Sequence, residues 1–330
     1  MMASYLTRAG LAALCFAALT GQARAADQTP STAAGWELVW ADEFDGDKLD
    51  PGKWKPEKSC WGGGNNERQC YTASPRNISV SGGMLHLTAI EGKVSGPDRP
   101  PEIASMPNPT VTKPFSSGKV RTRGIAAWRY GKVEFRARVP KGQGTWPAVW
   151  MMPAKDAYGP WPLSGEIDIL EAVNIGQTCK ECTGKVGENR MISALHFGGI
   201  PPANELRDTR HAPADHALPS DGFHVWTLEW GKGLMRFSFD GKPYWQVTKE
   251  QWRTLSPRAK GNPFAPFDQP FYIMANLAVG GKLSEERNDL GIDRQAFPAE
   301  FAIDWIRVYQ CGQDRETGLA CMGGAKGEVR

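Results

Sequence analysis

After Ala25 the chain has no apolar run approaching the roughly 20 residues needed to cross a bilayer, which excludes a helical membrane protein beyond that point. Histidine is scarce, five in 330 residues, and none are clustered, so nothing in the histidines points to a catalytic metal. Net charge is almost absent, at +3 over the whole chain. A protein so balanced is not built around a phosphate backbone, and nucleic acid is excluded as a partner. No long segment has the 3.6-residue period of an amphipathic helix, and no internal repeat is visible.

What is present begins with the first 25 residues. Arg8 precedes the mostly apolar stretch from Gly10 to Gly21, which is too short for a span, and Ala23-Arg24-Ala25 has the small-x-small form of a cleavage site. Residues 1–25 read as a signal peptide, with Cys15 inside its apolar stretch. They predict a secreted or periplasmic protein with no membrane attachment once the signal is cut. The signal holds Arg8 and Arg24 and no acid, so its removal takes the charge from +3 to +1. Residues 26–34 read as a disordered lead-in, 35–312 as one domain and 313–330 as a C-terminal tail. An all-β unit of that size is ordinary, and we expect a monomer.

The mature chain keeps Cys60, Cys70, Cys179, Cys182, Cys311 and Cys321. An even count in an exported protein points to disulfides. Spacing leaves connectivity open, and nearest-neighbour pairing (60–70, 179–182, 311–321) is the expectation. Cys179 and Cys182 would need a second closely spaced ligand pair to hold zinc, and none is visible. A redox role would need a βαβ context that is missing.

Strand signals dominate. From Lys132 to Val139 charged residues alternate with Val133, Phe135, Ala137 and Val139, the period of a half-buried strand. From Met235 to Val247 two aromatic-rich runs flank Asp240-Gly241, a hairpin signal. Met84 to Ala89, Phe223 to Trp230, Phe271 to Leu277 and Phe301 to Tyr309 read as further strands. Gly92 to Pro114 is Pro-rich and reads as a long surface loop. Many short strands joined by turns predict an antiparallel sandwich or barrel.

The chemistry concentrates in SGEIDILEAVN, Ser164 to Asn174. On a strand Glu166 and Asp168 point the same way, whereas Glu171 would face the other side. One extra residue near Ile169-Leu170, a β-bulge, would return it to the shared face and leave the apolar residues between the acids on the buried side. Carboxylates so placed repel one another and hold a proton between them. Glycoside hydrolysis uses such a pair, one ionised nucleophile and one protonated acid. The bland reading is a solvated strand face that happens to be acidic, but the third acid in bulge register weighs against it.

Sugar binding calls for aromatic platforms. Trp146 and Trp150 share a strand face at a spacing suited to different sugars of one chain, and Trp161 lies just before the acidic strand. Trp226, Trp230 and Trp305 read as core. Asn66, in a Gly-rich loop, and His196, on the strand after the acids, are further binding candidates, each with an ordinary structural alternative. Arg121 and Arg129 flank a turn and read as solvated edge residues. Asp304 lies among Ala302, Ile306 and Val308 and needs a partner; an arginine such as Arg307 or its neighbours would serve, and so would calcium.

Gly165 to Glu171 (GEIDILE) resembles the bulged E-x-D-x-x-E signature of family 16 glycoside hydrolases. The likeness extends to Trp40-Ala41-Asp42-Glu43-Phe44, Asn65-Asn66-Glu67 with Tyr71-Thr72, Gly142 to Met151, Asn276 to Gly281 and Asp304 to Tyr309. The set is most similar to the laminarinase branch, which cleaves β-1,3-glucan. The resemblance implies an all-β jelly-roll sandwich of two antiparallel sheets with an open substrate cleft. It implies Glu166 as nucleophile, Glu171 as acid/base, Asp168 between them, and no cofactor for catalysis. It also implies Glu43 and the backbone oxygen of Gly83 as co-ligands if Asp304 holds a structural calcium. Cys70, where such enzymes often carry an aromatic, and the loop from Ile175 to Arg190 depart from the pattern. A non-catalytic glucan-recognition protein, a transglycosylase, and a hydrolase of mixed-linkage glucan or galactan are the rivals.

Overall fold

The computed structural model describes residues 35–180, 182, 186–213 and 215–323. The expected signal peptide and lead-in, and the end of the tail, lie outside the described residues.

Seventeen strands among the described residues form two sheets. The larger runs β15-β14-β13-β8-β17-β5-β6-β3, with β1 (Trp36–Asp42) on β17 and β4 (Ile78–Ser81) on β5. It comprises β15 (Lys242–Thr248), β14 (Leu234–Phe239), β13 (His224–Gly231), β8 (Gly131–Arg138), β17 (Ala299–Cys311), β5 (Met84–Pro97), β6 (Thr110–Ser117) and β3 (Gln69–Tyr71). The second sheet runs β12-β11-β10-β9-β16-β7-β2. Its strands are β12 (Asn204–His211), β11 (Met191–Gly198), β10 (Glu166–Ala172), β9 (Thr145–Pro153), β16 (Phe271–Val279), β7 (Lys119–Arg121) and β2 (Lys55–Pro56). Strand pairing is antiparallel except between β3 and β6, which run parallel, a local departure from the two purely antiparallel sheets expected.

Alternation built these strands. On β8, Val133, Phe135 and Ala137 are buried. On β10, Ile167, Ile169 and Leu170 enter the same core, joined by Phe237 and Phe301 of the opposite sheet. Each such Leu or Phe side chain contributes about 1.5–3 kcal/mol on burial. Asp240 and Gly241 close the β14–β15 hairpin with φ of 47° and 74°, the left-handed values that a two-residue turn matching strand twist requires. Trp226, Trp230 and Trp305 are buried, as expected.

One sequence reading needs correction. Gly92 to Pro114 is not a loop throughout: β5 continues to Pro97 and β6 starts at Thr110, so the segment is a two-stranded ribbon with a turn at 98–109. Pro97 is the last residue of β5, and Pro114 falls at a register shift between β5 and β6, both places where a strand tolerates proline. A short helix, α1 (Gly281–Glu286), follows β16 and had no periodic signal because it spans less than two turns. The three disulfides pair as nearest neighbours: Cys60–Cys70, Cys179–Cys182 and Cys311–Cys321. The last holds residues after β17 against Trp36, Leu234, Tyr309 and Met322 in a small apolar cluster.

Candidate active site

Strand β10 lies in the middle of the second sheet, between β9 and β11. Its register shifts between Asp168 and Leu170 against β9, and between Asp168 and Glu171 against β11. That shift is the expected bulge. Ile169 and Leu170 both turn to the core, and Glu171 returns to the outer face with Glu166 and Asp168.

Cross-strand partners share a face, so the register maps the surface around the acids. Glu166 pairs with His196. Asp168 lies level with Ala194 on one side and with Trp150, Met274, Arg121 and Lys55 on the other. Glu171 lies level with Ile192 on one side and with Ala148, Asn276 and Lys119 on the other.

Each glutamate is met by an indole. Trp161 Nε1–H donates to Glu166 Oε2 at 2.6 Å, and Trp146 Nε1–H donates to Glu171 Oε1 at 2.9 Å. Trp161 is 40% exposed and free to stack on a sugar. Trp146 is buried beside Val173, Ala278 and Leu283, so it is a hydrogen-bond donor to Glu171 more than an open platform. Trp150 is partly buried; its N–H donates to Asn276 Oδ1 at 2.6 Å, with the Lys119 ammonium 4.8 Å from its ring centre. His196 is drawn into the site: its Nε2 lies 3.3 Å from Asp168 Oδ2 and 3.9 Å from Glu166 Oε1, and its ring faces Trp161 at 5.8 Å. Asn66 is exposed at the rim with φ of 60°, in a loop tied by Lys282 N to Asn65 O and by Arg68 N to Val279 O. Among the described residues no hydrogen bond or ion pair brings it to the acids.

Burial first, and then the Asp168 charge, push the carboxyls of both Glu166 and Glu171 up to about 8. The indole bonds and His196 act the other way and favour ionisation. Burial alone would lower His196. The hydrogen bond to Asp168 and the charges of Glu166, Asp168 and Glu171 outweigh it, and the imidazole is raised to about 10. The face therefore carries an imidazolium among its acids, which offsets part of their repulsion.

Supporting residues hold this geometry. Asn174, just past β10 with φ of 56°, accepts from Gly144 N at 2.8 Å and donates to Ser284 O at 2.7 Å. It ties the segment entering Trp146 to the strand of Glu171 and to α1. Asn276 and Lys119 were not singled out from the sequence. An asparagine inside the apolar run FYIMANLAV was the available signal, since a buried amide needs a partner.

The edge reading of Arg121 is wrong. Arg121 points onto the outer face, only 12% exposed, and pairs with Glu57 at 3.3 Å and with Glu102. Of the calcium ligands expected at Glu43, Gly83 and Asp304, the two carboxylates are each met by an arginine. Asp304 Oδ2 takes Arg136 Nη1 at 2.5 Å, and Glu43 takes Arg307 in two bonds of 2.8 Å. Each carboxylate already has a guanidinium, and a dication beside Arg136 and Arg307 would add repulsion, so this donor set does not fit calcium. The expected Arg307 belongs to Glu43, and Asp304 is met by Arg136 across the strand pair instead.

Paired glutamates on the solvent-facing sheet of a β-sandwich, flanked by indoles, define a carbohydrate-cleaving hydrolase. Residues 66–307 match the family described as Glycosyl hydrolases family 16. The chain is 37% identical over 291 residues to glucan endo-1,3-beta-glucosidase A1 of Niallia circulans, covering 86% of this chain and 39% of that protein. It is 36% identical over 280 residues to the beta-glucanase of Rhodothermus marinus, covering 83% of this chain and 85% of that one. Its fold is similar to the solved laminarinase from Rhodothermus marinus, with a TM-score of 0.64, 34% identity, and coverage of 83% and 97%. The protein belongs to glycoside hydrolase family 16.

Proposed function

We propose that the protein is an exported, monomeric endo-glycosidase that cleaves β-1,3-glucan with retention of configuration. The observation that carries this reading is the bulged strand that turns Glu166, Asp168 and Glu171 to one face, each glutamate anchored by its own indole. The names of the relatives support the choice of β-1,3-glucan, and the leader at residues 1–25 supports export.

In the first half-reaction a Glu166 carboxylate oxygen forms a bond to the anomeric carbon as the glycosidic C–O bond breaks, and Glu171 gives its proton to the departing oxygen. In the second, Glu171 takes a proton from water, whose oxygen displaces Glu166 from the same carbon. Glu171 is suited to the acid role because burial and Asp168 keep it protonated near neutral pH. Glu166 must be ionised to attack. The Trp161 N–H and the His196 imidazolium favour that state. Trp161, in the turn before β10, and Trp150, on β9, flank the acids and offer stacking surfaces, Asn66 stands at the rim for a further sugar, and no cofactor or calcium enters the reaction.

Two measurements test this together: reducing-sugar release from laminarin, mixed-linkage glucan and a galactan, and NMR of the first anomer formed. Release from laminarin with the β-anomer appearing first is expected. Inversion at the anomeric carbon sinks the nucleophile assignment, and release only from another polysaccharide sinks the substrate.

A further inference from the structure

The outer face of the catalytic sheet is open on one side of the acids and covered on the other. Toward β11 and β12, Trp161 and Leu206 stand exposed. Toward β7 and β2 two outer-face side chains are charged yet shielded, Lys119 and Glu57 at 7% and 4% exposed, while Lys55 at the sheet edge is exposed. Charged side chains on an open sheet face are ordinarily solvated; these two are shielded by each other, by Ser59 and Arg121 beside Glu57, and by the Tyr71 and Trp150 rings beside Lys119.

Further along the same face, Arg121 is covered by the tip of the β5–β6 ribbon. Glu102, in the 98–109 turn, pairs with Arg121 and lies 3.2 Å from Arg123 Nη1. Arg121 is gripped from beneath by Glu57, which also binds Lys119 at 3.1 Å. Burial alone would raise Glu57; Lys119 and Arg121 outweigh it and hold the carboxyl below its ordinary value. The ribbon is pinned at its root. Cys60 N donates to Pro97 O at 2.8 Å beside the Cys60–Cys70 disulfide, and Lys113 Nζ donates to Glu67 O at 2.5 Å. Because Glu57 and Glu102 already occupy Lys119, Arg121 and Arg123, this end is not a seat for an anionic sugar.

We propose that the ribbon tip, through Glu102 on Arg121 and Arg123, is a wall that ends the floor of the cleft and limits how many sugar rings bind on that side of the scissile bond. The row Asp168, Trp150, Met274, Arg121 measures the run from the acids to the wall. It spans three strand spacings, about 14 Å, room for about three pyranose rings. A longer chain leaves the floor there instead of continuing over β7 and β2. The inference rests on the glycanase reading above.

The test uses β-1,3-gluco-oligosaccharides of increasing length, labelled at the reducing end so that each cut is assigned. In the wild-type enzyme kcat/KM should rise with each ring added on the wall side up to about three rings, then change by less than about twofold per ring. A rise that continues well past that length overturns the wall, whatever any variant does. Glu102→Ala, and a variant with Arg99 to Asn108 replaced by a Gly-Asn-Gly turn, should extend the rise by at least one ring, about threefold or more, and lengthen the products. Length profiles unchanged from wild type in both variants also overturn it. If wild type cleaves none of these oligosaccharides, the substrate reading fails instead. The same length series on the polysaccharide it does cleave then decides the wall.

Discussion

The indole N–H of Trp161 ends 2.6 Å from Oε2 of Glu166, five residues ahead of it in the chain. Trp146 makes the matching bond to Glu171 from the neighbouring strand. Both bonds favour the ionised carboxylate, but the two glutamates need opposite protonation states, so the loss of each donor has a different consequence.

Trp161→Phe removes the donor and keeps the ring. Glu166 becomes harder to ionise, so the acidic limb of the kcat/KM profile should move to higher pH. Trp146→Phe raises Glu171 further, so the basic limb should also move to higher pH. A hydrogen bond to a charged group is worth about 1.5–3 kcal/mol, so Trp161→Phe should slow turnover about tenfold or more. A pH–rate series on both variants checks the limbs separately.

Glu166→Ala should lose nearly all hydrolysis and regain turnover with azide, giving a glycosyl azide of inverted configuration. Glu171→Ala should lose about 10²–10⁴-fold on polysaccharide. It should keep far more activity on an aryl glycoside whose leaving group needs no proton. Asp168→Asn should be impaired less than either. Steady-state kinetics on the two substrate types, with product NMR, separate the three roles.

His196→Asn removes the positive charge facing Asp168 and Glu166. Glu166 then ionises at higher pH, and the acidic limb should move up. Stability should respond in a set direction. The folded imidazole is raised to about 10 from an ordinary 6.5, so its contribution is full below about pH 6.5 and is lost as pH rises toward 10. The variant should be less stable than wild type at pH 6, by a gap that narrows by pH 10. Urea unfolding at both pH values measures it.

Arg136→Ala strips the partner from a largely buried Asp304 carboxylate and should cost about 1–3 kcal/mol. Chelator should leave the melting temperature of the wild type unchanged, because Arg136 and Arg307 already neutralise Asp304 and Glu43. A chelator-dependent fall, measured by calorimetry in metal-stripped buffer, would show that a cation displaces these arginines.

Replacing Cys60 and Cys70 by serine together opens a short loop and should cost about 2–3 kcal/mol. Because this bridge lies at the root of the ribbon, the change should also loosen product length. Thermal unfolding and product chromatography give the two readouts.

Much of the site was legible because alternation is a local rule. It put Glu166 and Asp168 on one face, and the odd spacing of Glu171 called for a bulge, which the register shift supplies. The core tryptophans and the hairpin at Asp240-Gly241 followed from equally local patterns. Arg121 was misread for the opposite reason. Its neighbours in sequence are polar and turn-like, and only the docking of Glu57 and Glu102 makes its position a buried one.

By itself, then, the sequence determined many of the strands, which of their side chains share a face and where three carboxylates crowd together, since each depends on a period of two along one short segment. Tertiary structure decided the partners. Asp304 meets Arg136 from 168 positions away, Glu43 meets Arg307 from 264 away, and the ribbon from β5 to β6 closes over β7. Those contacts depend on the order and register in which distant strands assemble. A one-residue slip in that register would exchange every partner while leaving the local pattern intact.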